Sequence, residues 1–168
     1  MILEFILAIL CFILAISLLS FAPLLIGAPY EPSRKKQVKK MIELACVKSG
    51  DKSVDLGSGD GRIVIEFARA GAEAHGYEVN PWLVMYSKYK AKKLGLKNAH
   101  FHLRNFWSVQ MKKFDIVTSF QIGYIMPRLE RKLKRELKSG TRIISNVWKF
   151  KDWVPKKIDG KIRLYIKN

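Results

Sequence analysis

A glycine-rich segment is the first feature of this sequence that could do chemistry. Residues 54–62 read V-D-L-G-S-G-D-G-R, with glycines at 57, 59 and 61 and carboxylates at 55 and 60. Glycine has no Cβ atom, so a ligand can approach the backbone of such a turn closely. A helix that begins near Arg62 would point its free N–H groups at the same place. The pattern predicts a ligand-binding turn between a strand and a helix.

An acidic residue follows at the end of the next predicted strand. Glu78 could accept hydrogen bonds from both hydroxyls of a ribose. A dinucleotide site has the spacing G-x-G-x-x-G, whereas this chain has G-x-G-x-G with Arg62 in place of the last glycine. The spacing favours a nucleoside cofactor without phosphates. A tight turn without a ligand is the alternative, but it does not explain why Asp55, Asp60 and Glu78 gather at strand ends.

The elements around these residues alternate between strands and helices. Strands are predicted at 52–56, 74–79, 99–103, 114–120 and 141–148, and helices begin near residues 33, 63, 81 and 127. This alternation predicts an α/β fold with a mostly parallel sheet and right-handed crossovers. A terminal hairpin of 154–158 with 161–166 would add antiparallel strands at one edge. The stretch 104–113 is too short for a full crossover helix.

The N-terminal segment predicts a single transmembrane helix. Residues 5–26 carry no charge, and about 20 apolar residues cross a bilayer core. Residues 34–40 include five basic side chains, so the positive-inside rule keeps the following domain cytoplasmic. A cleaved signal peptide is the alternative, but it needs positive charge before the apolar run, where only Glu4 is charged. We therefore expect an anchor at 1–27 and one domain at 28–168.

The composition restricts the partners. Thirty-one basic and 14 acidic residues give a formal charge of +17, which indicates a nearby polyanion such as nucleic acid, an anionic bilayer face or an acidic protein. Two cysteines and three histidines show no metal-ligand spacing, so neither a metal site nor a disulfide is expected. The sequence does not indicate an oligomeric state.

Residues 55–61 resemble motif I of the class I S-adenosylmethionine-dependent methyltransferases. Residues 29–33, 54–65 and 76–83 more narrowly resemble the family that contains the mitochondrial lysine methyltransferases of the ATP synthase c subunit and of the adenine nucleotide translocase, with prokaryotic relatives. Residues 104–107 and 127–137 match more weakly. The resemblance implies a Rossmann-like class I methyltransferase sheet, S-adenosyl-L-methionine as cofactor and a lysine as acceptor. An N-terminal hydrophobic segment also fits this family.

The same resemblance implies roles for individual residues. Asp55, Gly57 and Gly59 would hold the methionine end of the cofactor, and Glu78 would bind its ribose. Asn105, which replaces an expected aspartate, would approach the adenine. Tyr30 and Pro32 would close over the cofactor. The predicted cofactor-binding set is Asp55, Gly57, Ser58, Gly59, Asp60, Gly61, Glu78, Asn80, Asn105 and Phe106.

Methyl transfer from a sulfonium requires an aligned nucleophile and exclusion of water. A lysine acceptor must be neutral, which costs ~4–5 kcal/mol at pH 7. The candidate wall of the acceptor pocket is Tyr30, Phe120, Tyr124 and Trp148, with core packing as the alternative for the last three. No catalytic residue is assigned. The chain contains neither the Asn-Pro-Pro-Tyr motif of amino-methylating nucleic-acid enzymes nor a Pro-Cys nucleophile, which argues against a nucleic-acid substrate.

These observations predict a membrane-anchored S-adenosylmethionine-dependent methyltransferase that modifies a lysine of a membrane protein beside the bilayer. One alternative is methylation of a small lipophilic molecule or a lipid headgroup. Another is a non-catalytic, membrane-tethered module that binds a cofactor or a nucleic acid.

Overall fold

The computed structural model describes residues 2–26, 33 and 35–168. Helix α1 (Ile2–Ile26) comes first. The elements that follow it are α2 (Lys35–Ala45), β1 (Lys52–Leu56), α3 (Arg62–Arg69), β2 (Glu73–Glu78), α4 (Pro81–Lys93), β3 (Ala99–Leu103), β4 (Ile116–Ser119), α5 (Met126–Glu136), β5 (Arg142–Asn146), β6 (Lys157–Asp159) and β7 (Ile162–Ile166). This order confirms the predicted alternation of strands and helices.

The seven strands form one sheet in the order β3-β2-β1-β4-β5-β7-β6. The first five are parallel, β7 is antiparallel to β5, and β6 is antiparallel to β7. The structure therefore confirms the predicted mostly parallel sheet with an antiparallel hairpin at one edge. All five parallel strands direct their carboxyl ends to the same edge, where ligands bind in open α/β sheets.

Each face of the sheet is covered by apolar side chains from helices. On one face, Val38 and Met41 of α2 and Phe67 of α3 are almost completely buried. On the other face, Leu129 and Leu133 of α5 are completely buried. Burying one such side chain contributes about 1.5–3 kcal/mol. This packing holds the sheet rigidly beneath its carboxyl edge.

The structure shortens three predicted strands. The fourth strand, predicted at 114–120, is Ile116–Ser119, and the other two are shortened for backbone reasons. The fifth strand ends at Asn146 rather than at 148, because Val147 has a φ of 68°, a left-handed conformation that ends regular strand geometry. The strand predicted at 154–158 is only Lys157–Asp159. Pro155 has no N–H group to donate to a ladder, so pairing begins after it. In the stretch 104–113 the regular structure is one 3-10 turn, Phe106–Ser108, as its length predicts.

The structure does not support the transmembrane helix predicted at 1–27. Within the part of the chain that the structure describes, no helix meets the length and apolarity that crossing a membrane requires. The linker 27–32, which includes Tyr30 and Pro32, lies outside the described residues, as does Arg34. Cys11 and Cys46 are both free and exposed.

Candidate functional site

The glycine turn lies at the carboxyl end of β1 and is tied to β2. Gly57, Gly59 and Gly61 have φ angles of 77°, 52° and 76°, which favour glycine. The N–H groups of Gly57 and Ser58 donate to the carbonyl of Tyr77 at 2.9 and 3.1 Å. The turn is therefore fixed beside the last residue of β2, as the sequence predicts.

Glu78, that last residue, is held by three backbone N–H groups. Its Oε2 accepts from Gly59 at 3.0 Å, and its Oε1 accepts from Val79 and Asn80 at 2.8 and 2.9 Å. A carboxylate offers about four acceptor positions. The remaining position, on Oε2, suffices for one ribose hydroxyl, so accepting both, as the sequence suggests, requires Glu78 to release one backbone partner.

Asp55 is a buried carboxylic acid in β1, only 4% exposed. Burial raises its pKa to about 7. The hydroxyl of Thr118 donates to its Oδ1 at 2.7 Å and opposes this increase, whereas the charges of Glu78 and Asp60 add to it. Asp55 is therefore half protonated near neutral pH. A cationic ligand placed beside it would favour the ionised form.

Asp60 is occupied by cationic neighbours. Its carboxylate pairs with Arg62 at 2.9 Å and with Lys90 at 3.2 Å. Burial alone would raise the pKa of Asp60, but the hydrogen bonds and charges of these two cations lower it instead. Arg62 also donates to the carbonyl of Ser33 at 2.9 Å. Asp60 thus connects the starts of α2 and α3 with α4.

The space beside the α-carbon of Gly61 and the hydroxyl of Ser58 both face the interior of the fold. A Cβ atom at Gly61 would lie 2.5 Å from the ring of Phe101 and 2.8 Å from Ser87, so the missing Cβ allows close packing. The Oγ of Ser58 would lie 2.6 Å from a Cβ at Gly76, so this hydroxyl points toward β2. The N–H of Ser58 donates to Tyr77, and the N–H of Gly61 donates to the carbonyl of Ser58 at 2.9 Å, so both N–H groups are used within the fold.

Asn80, Asn105 and Phe106 begin the elements that follow β2 and β3. The Oδ1 of Asn80 caps α4 by accepting from the N–H of Trp82 at 3.0 Å. The Oδ1 of Asn105 accepts from the N–H of Trp107 at 3.0 Å and caps the 3-10 turn. Phe106 is buried beside Trp107. Contact of Asn105 or Phe106 with an adenine remains a prediction.

The predicted acceptor wall is partly assembled after β4 and β5. The indole of Trp148 lies against Gly123, where a Cβ would approach it to 2.8 Å. Trp148 is 43% exposed and Tyr124 is 72% exposed, so core packing does not explain these two side chains. Phe120 is half-buried. Tyr30 belongs to the undescribed linker.

Sequence reasoning missed several polar residues that close β4 and β5. Gln121 is buried, donates from Nε2 to the carbonyl of Leu56, and lies where a Cβ on Gly57 would clash at 2.9 Å. Asn146 is fully buried, and its Oδ1 has no partner among the described residues; the same holds for the Oγ of Ser119. The available signal was a switch from apolar to polar residues at the end of each strand.

The carboxyl edge fits a cationic nucleoside. Of the three carboxylates beside the glycine turn, Asp60 is already paired with Arg62 and Lys90. Asp55 and Glu78 have no cationic side-chain partner among the described residues, so their carboxyl groups would attract a ligand with sulfonium and ammonium groups and disfavour a pyrophosphate. The turn and Asp55 could hold such a charged end, with Glu78 on the ribose. The residues at this edge are therefore compatible with S-adenosylmethionine and unfavourable for a dinucleotide.

Comparison with known proteins agrees with this geometry. Residues 55–157 match the model of the ANTKMT methyltransferase domain. The chain is 40% identical over 134 residues to the lysine N-methyltransferase of the ATP synthase c subunit from Rattus norvegicus, covering 79% of this chain and 62% of that protein. The chain thus spans less than two thirds of the length of the rat protein. It is 35% identical over 133 residues to a protein-lysine N-methyltransferase of Saccharolobus islandicus, covering 77% of this chain and 83% of that protein.

Among solved structures, an RNA methyltransferase from Salinibacter ruber in complex with S-adenosyl-L-homocysteine superposes with a TM-score of 0.76 at 32% identity. The match covers 82% of this chain and 92% of that one. The resemblance identified from the sequence motifs is thus confirmed at the level of the family. By its sequence and its fold, this chain belongs to the ANTKMT methyltransferase domain family.

Proposed function

We propose that this protein is an S-adenosylmethionine-dependent protein-lysine N-methyltransferase whose acceptor is a lysine of a membrane protein. The observation that carries the proposal is the fixed position of Glu78 beside the glycine turn, with the buried carboxyl of Asp55 next to it. The rat and archaeal relatives are both lysine N-methyltransferases by name, which supports the acceptor class.

The residues of the chain would act mainly by binding and positioning. The glycine turn and Asp55 would hold the methionine end of the cofactor, and Glu78 would orient the ribose. The bound cofactor supplies an electrophilic methyl group on its sulfonium. The protein's contribution is to align an amine with that group and to exclude water. Trp148 and Tyr124, exposed beside the carboxyl edge, would line the approach of the acceptor.

The acceptor amine must lose its proton before it can react. A lysine has a pKa near 10.4, so the neutral form costs ~4–5 kcal/mol at pH 7. Desolvation against the aromatic surface of Trp148 and Tyr124 lowers that pKa, and so does a positive surrounding field. The formal charge of +17 supplies a field of the required sign.

The membrane part of the proposal places the domain at the cytoplasmic face of a bilayer, held by the N-terminal segment. Residues 5–26 carry no charge, and Ile2, Phe5 and Phe12 of α1 are exposed apolar side chains. Exposed Lys35, Lys36 and Lys39 follow on α2 and favour the cytoplasmic side. Protease added outside intact cells should then spare the domain, and digestion there would contradict this location.

RNA methylation is a second candidate, because the matched Salinibacter protein is an RNA methyltransferase and the chain is strongly basic. The residues at the end of β4 and directly after it argue against it. They read S-F-Q-I at 119–122, where an enzyme that methylates base amino groups has Asn-Pro-Pro-Tyr. Neither cysteine lies at the carboxyl edge, where a cysteine nucleophile would have to be. Cys11 is on α1, and Cys46 directly follows α2.

One labelling experiment separates these substrates. Membranes, RNA and lipids from a strain that lacks the gene are incubated with the full-length protein and radioactive S-adenosylmethionine. We expect the label on a membrane protein, and intact-mass spectrometry should show methyl groups on one of its lysines. At a low concentration of S-adenosylmethionine, Glu78→Gln should reduce the labelling, whereas Asp152→Asn, at an exposed carboxylate, should retain it. Label only on RNA, on lipids or on small lipophilic molecules would refute the proposal.

A further inference from the structure

The outward face of α4 is apolar at its centre. Trp82, Met85, Tyr86 and Tyr89 are between 52% and 61% exposed. Successive helical residues turn by about 100°, so these four lie on one side. The buried residues Val84, Ser87 and Ala91 lie on the opposite side. A surface helix normally turns polar side chains outward, so this arrangement needs a partner to explain it. We call the four exposed side chains the α4 stripe.

Lysines border the α4 stripe and no carboxylate interrupts it. Lys88, Lys92 and Lys93 are exposed, and α4 contains no Asp or Glu. On the other border, Lys90 pairs with Asp60 and places its Nζ 5.2 Å from the ring centroid of Tyr86. The surface is thus apolar and aromatic in the middle and positively charged around it.

The α4 stripe begins at the carboxyl edge of the sheet. Asn80, which caps α4, donates its N–H to Glu78 at 2.9 Å. Trp82 follows two residues later, and α4 packs on β2 and β3. A partner bound along the stripe would therefore lie beside the cofactor end of the domain.

We infer that the α4 stripe docks on the interface of an anionic phospholipid bilayer. Trp and Tyr side chains favour the headgroup level, where an apolar ring and a polar tip are both satisfied. Bordering lysines would reach the phosphates, each adding ~1 kcal/mol of attraction to an anionic surface. This inference extends the proposed function but needs neither methyl transfer nor insertion of α1.

A bilayer fits the α4 stripe better than a second copy of the chain does. A face that pairs with itself brings the lysines of one copy toward those of the other, and like charges repel. The stripe has no carboxylate to balance them. An anionic bilayer instead supplies negative charge for the exposed lysines Lys88, Lys92 and Lys93, and apolar depth beneath the four side chains.

The test uses the full-length chain with Cys11 and Cys46 replaced by Ser. Single cysteines introduced as Tyr86→Cys or Tyr89→Cys carry an environment-sensitive fluorophore. The matched control is Lys157→Cys, on an exposed residue of β6 at the sheet edge opposite β3. Each protein is mixed with preformed phosphatidylcholine vesicles with or without phosphatidylglycerol. Quenchers on the acyl chains report the depth of the label.

With phosphatidylglycerol, we expect a blue shift and acyl-chain quenching at positions 86 and 89, and neither at 157. Lys88→Gln and Lys92→Gln each remove one positive charge. Each variant should lower the equilibrium constant for binding to the anionic vesicles by about fivefold. The inference is overturned if positions 86 and 89 stay in water on anionic vesicles. It is also overturned if the shift occurs without lipid and grows with protein concentration, which would indicate a second copy. Equal shifts on neutral and anionic vesicles would contradict the part assigned to the lysines.

Discussion

Asp55→Asn should make the protein more stable and yet unable to bind its cofactor well. Asp55 is buried, and its pKa rises from an ordinary value of 3.8 to about 7 in the folded state. The folded protein therefore holds this proton more tightly than the unfolded chain between about pH 4 and 7. Stability is lost as the pH increases through that window, because only the unfolded state releases the proton freely.

The magnitude follows from the difference between the two pKa values. A difference of about 3 units, at 1.36 kcal/mol per unit, gives about 4 kcal/mol at pH 8. Asparagine has nearly the same shape, carries no charge and still offers an oxygen to the hydroxyl of Thr118. The variant should thus exceed the wild type by up to about 4 kcal/mol at pH 8, and the two proteins should converge toward pH 4.

The assay is chemical denaturation of the full-length wild type, Asp55→Asn and Asp152→Asn in the same detergent from pH 4 to 8. Asp152 is exposed, so its variant should follow the wild type throughout. Calorimetry should show that Asp55→Asn weakens binding of S-adenosylmethionine, because a cationic ligand loses its carboxylate partner. A stability difference between wild type and Asp55→Asn that does not change with pH would refute the reasoning.

Four further predictions concern the site and the fold. Gly57→Val should abolish binding of S-adenosylmethionine in calorimetry, because φ is 77° and the Cβ would meet Gln121 at 2.9 Å; Gly95→Ala, in open space at a φ of 67°, is its backbone control. Glu78→Ala should weaken the binding of S-adenosylmethionine by about 1–3 kcal/mol. The wild type should not bind NAD in the same assay, and tight NAD binding would overturn the cofactor assignment. The buried carboxylate of Glu130 on α5 accepts from the N–H groups of Lys151 and Asp152 and pairs with Lys134, so Glu130→Gln should destabilise the protein by about 1–3 kcal/mol at pH 7. Burial raises the pKa of Glu130, but its hydrogen bonds lower it overall. The stability deficit of Glu130→Gln should therefore vanish when denaturation is measured at a pH below the pKa of Glu130. A stability deficit that persists in acid would contradict this.

Features set by neighbouring residues could be predicted from the sequence. The left-handed glycines of the turn 57–61, the cap of Asn80 on α4 and the acidic end of β2 at Glu78 all depend on local backbone chemistry. The alternation of strands and helices followed from the same local signals, as did the family resemblance. The end of β5 before Val147 was not predictable, because a left-handed φ at a valine has no local sequence signal. Pro155, in contrast, already marked the late start of β6 in the sequence.

Only the tertiary structure decided how distant residues combine. The pKa of Asp55 depends on its complete burial between β2 and β4, and on Thr118, which is 63 positions away in the chain. The two sides of α4 show the same limit. Both carry apolar side chains, Val84 and Ala91 on one side and Trp82 and Tyr89 on the other, so periodicity could not choose between them. Only one side of a helix can face the sheet, and packing on β2 and β3 buries the side with the smaller pair and leaves the large aromatic rings outside.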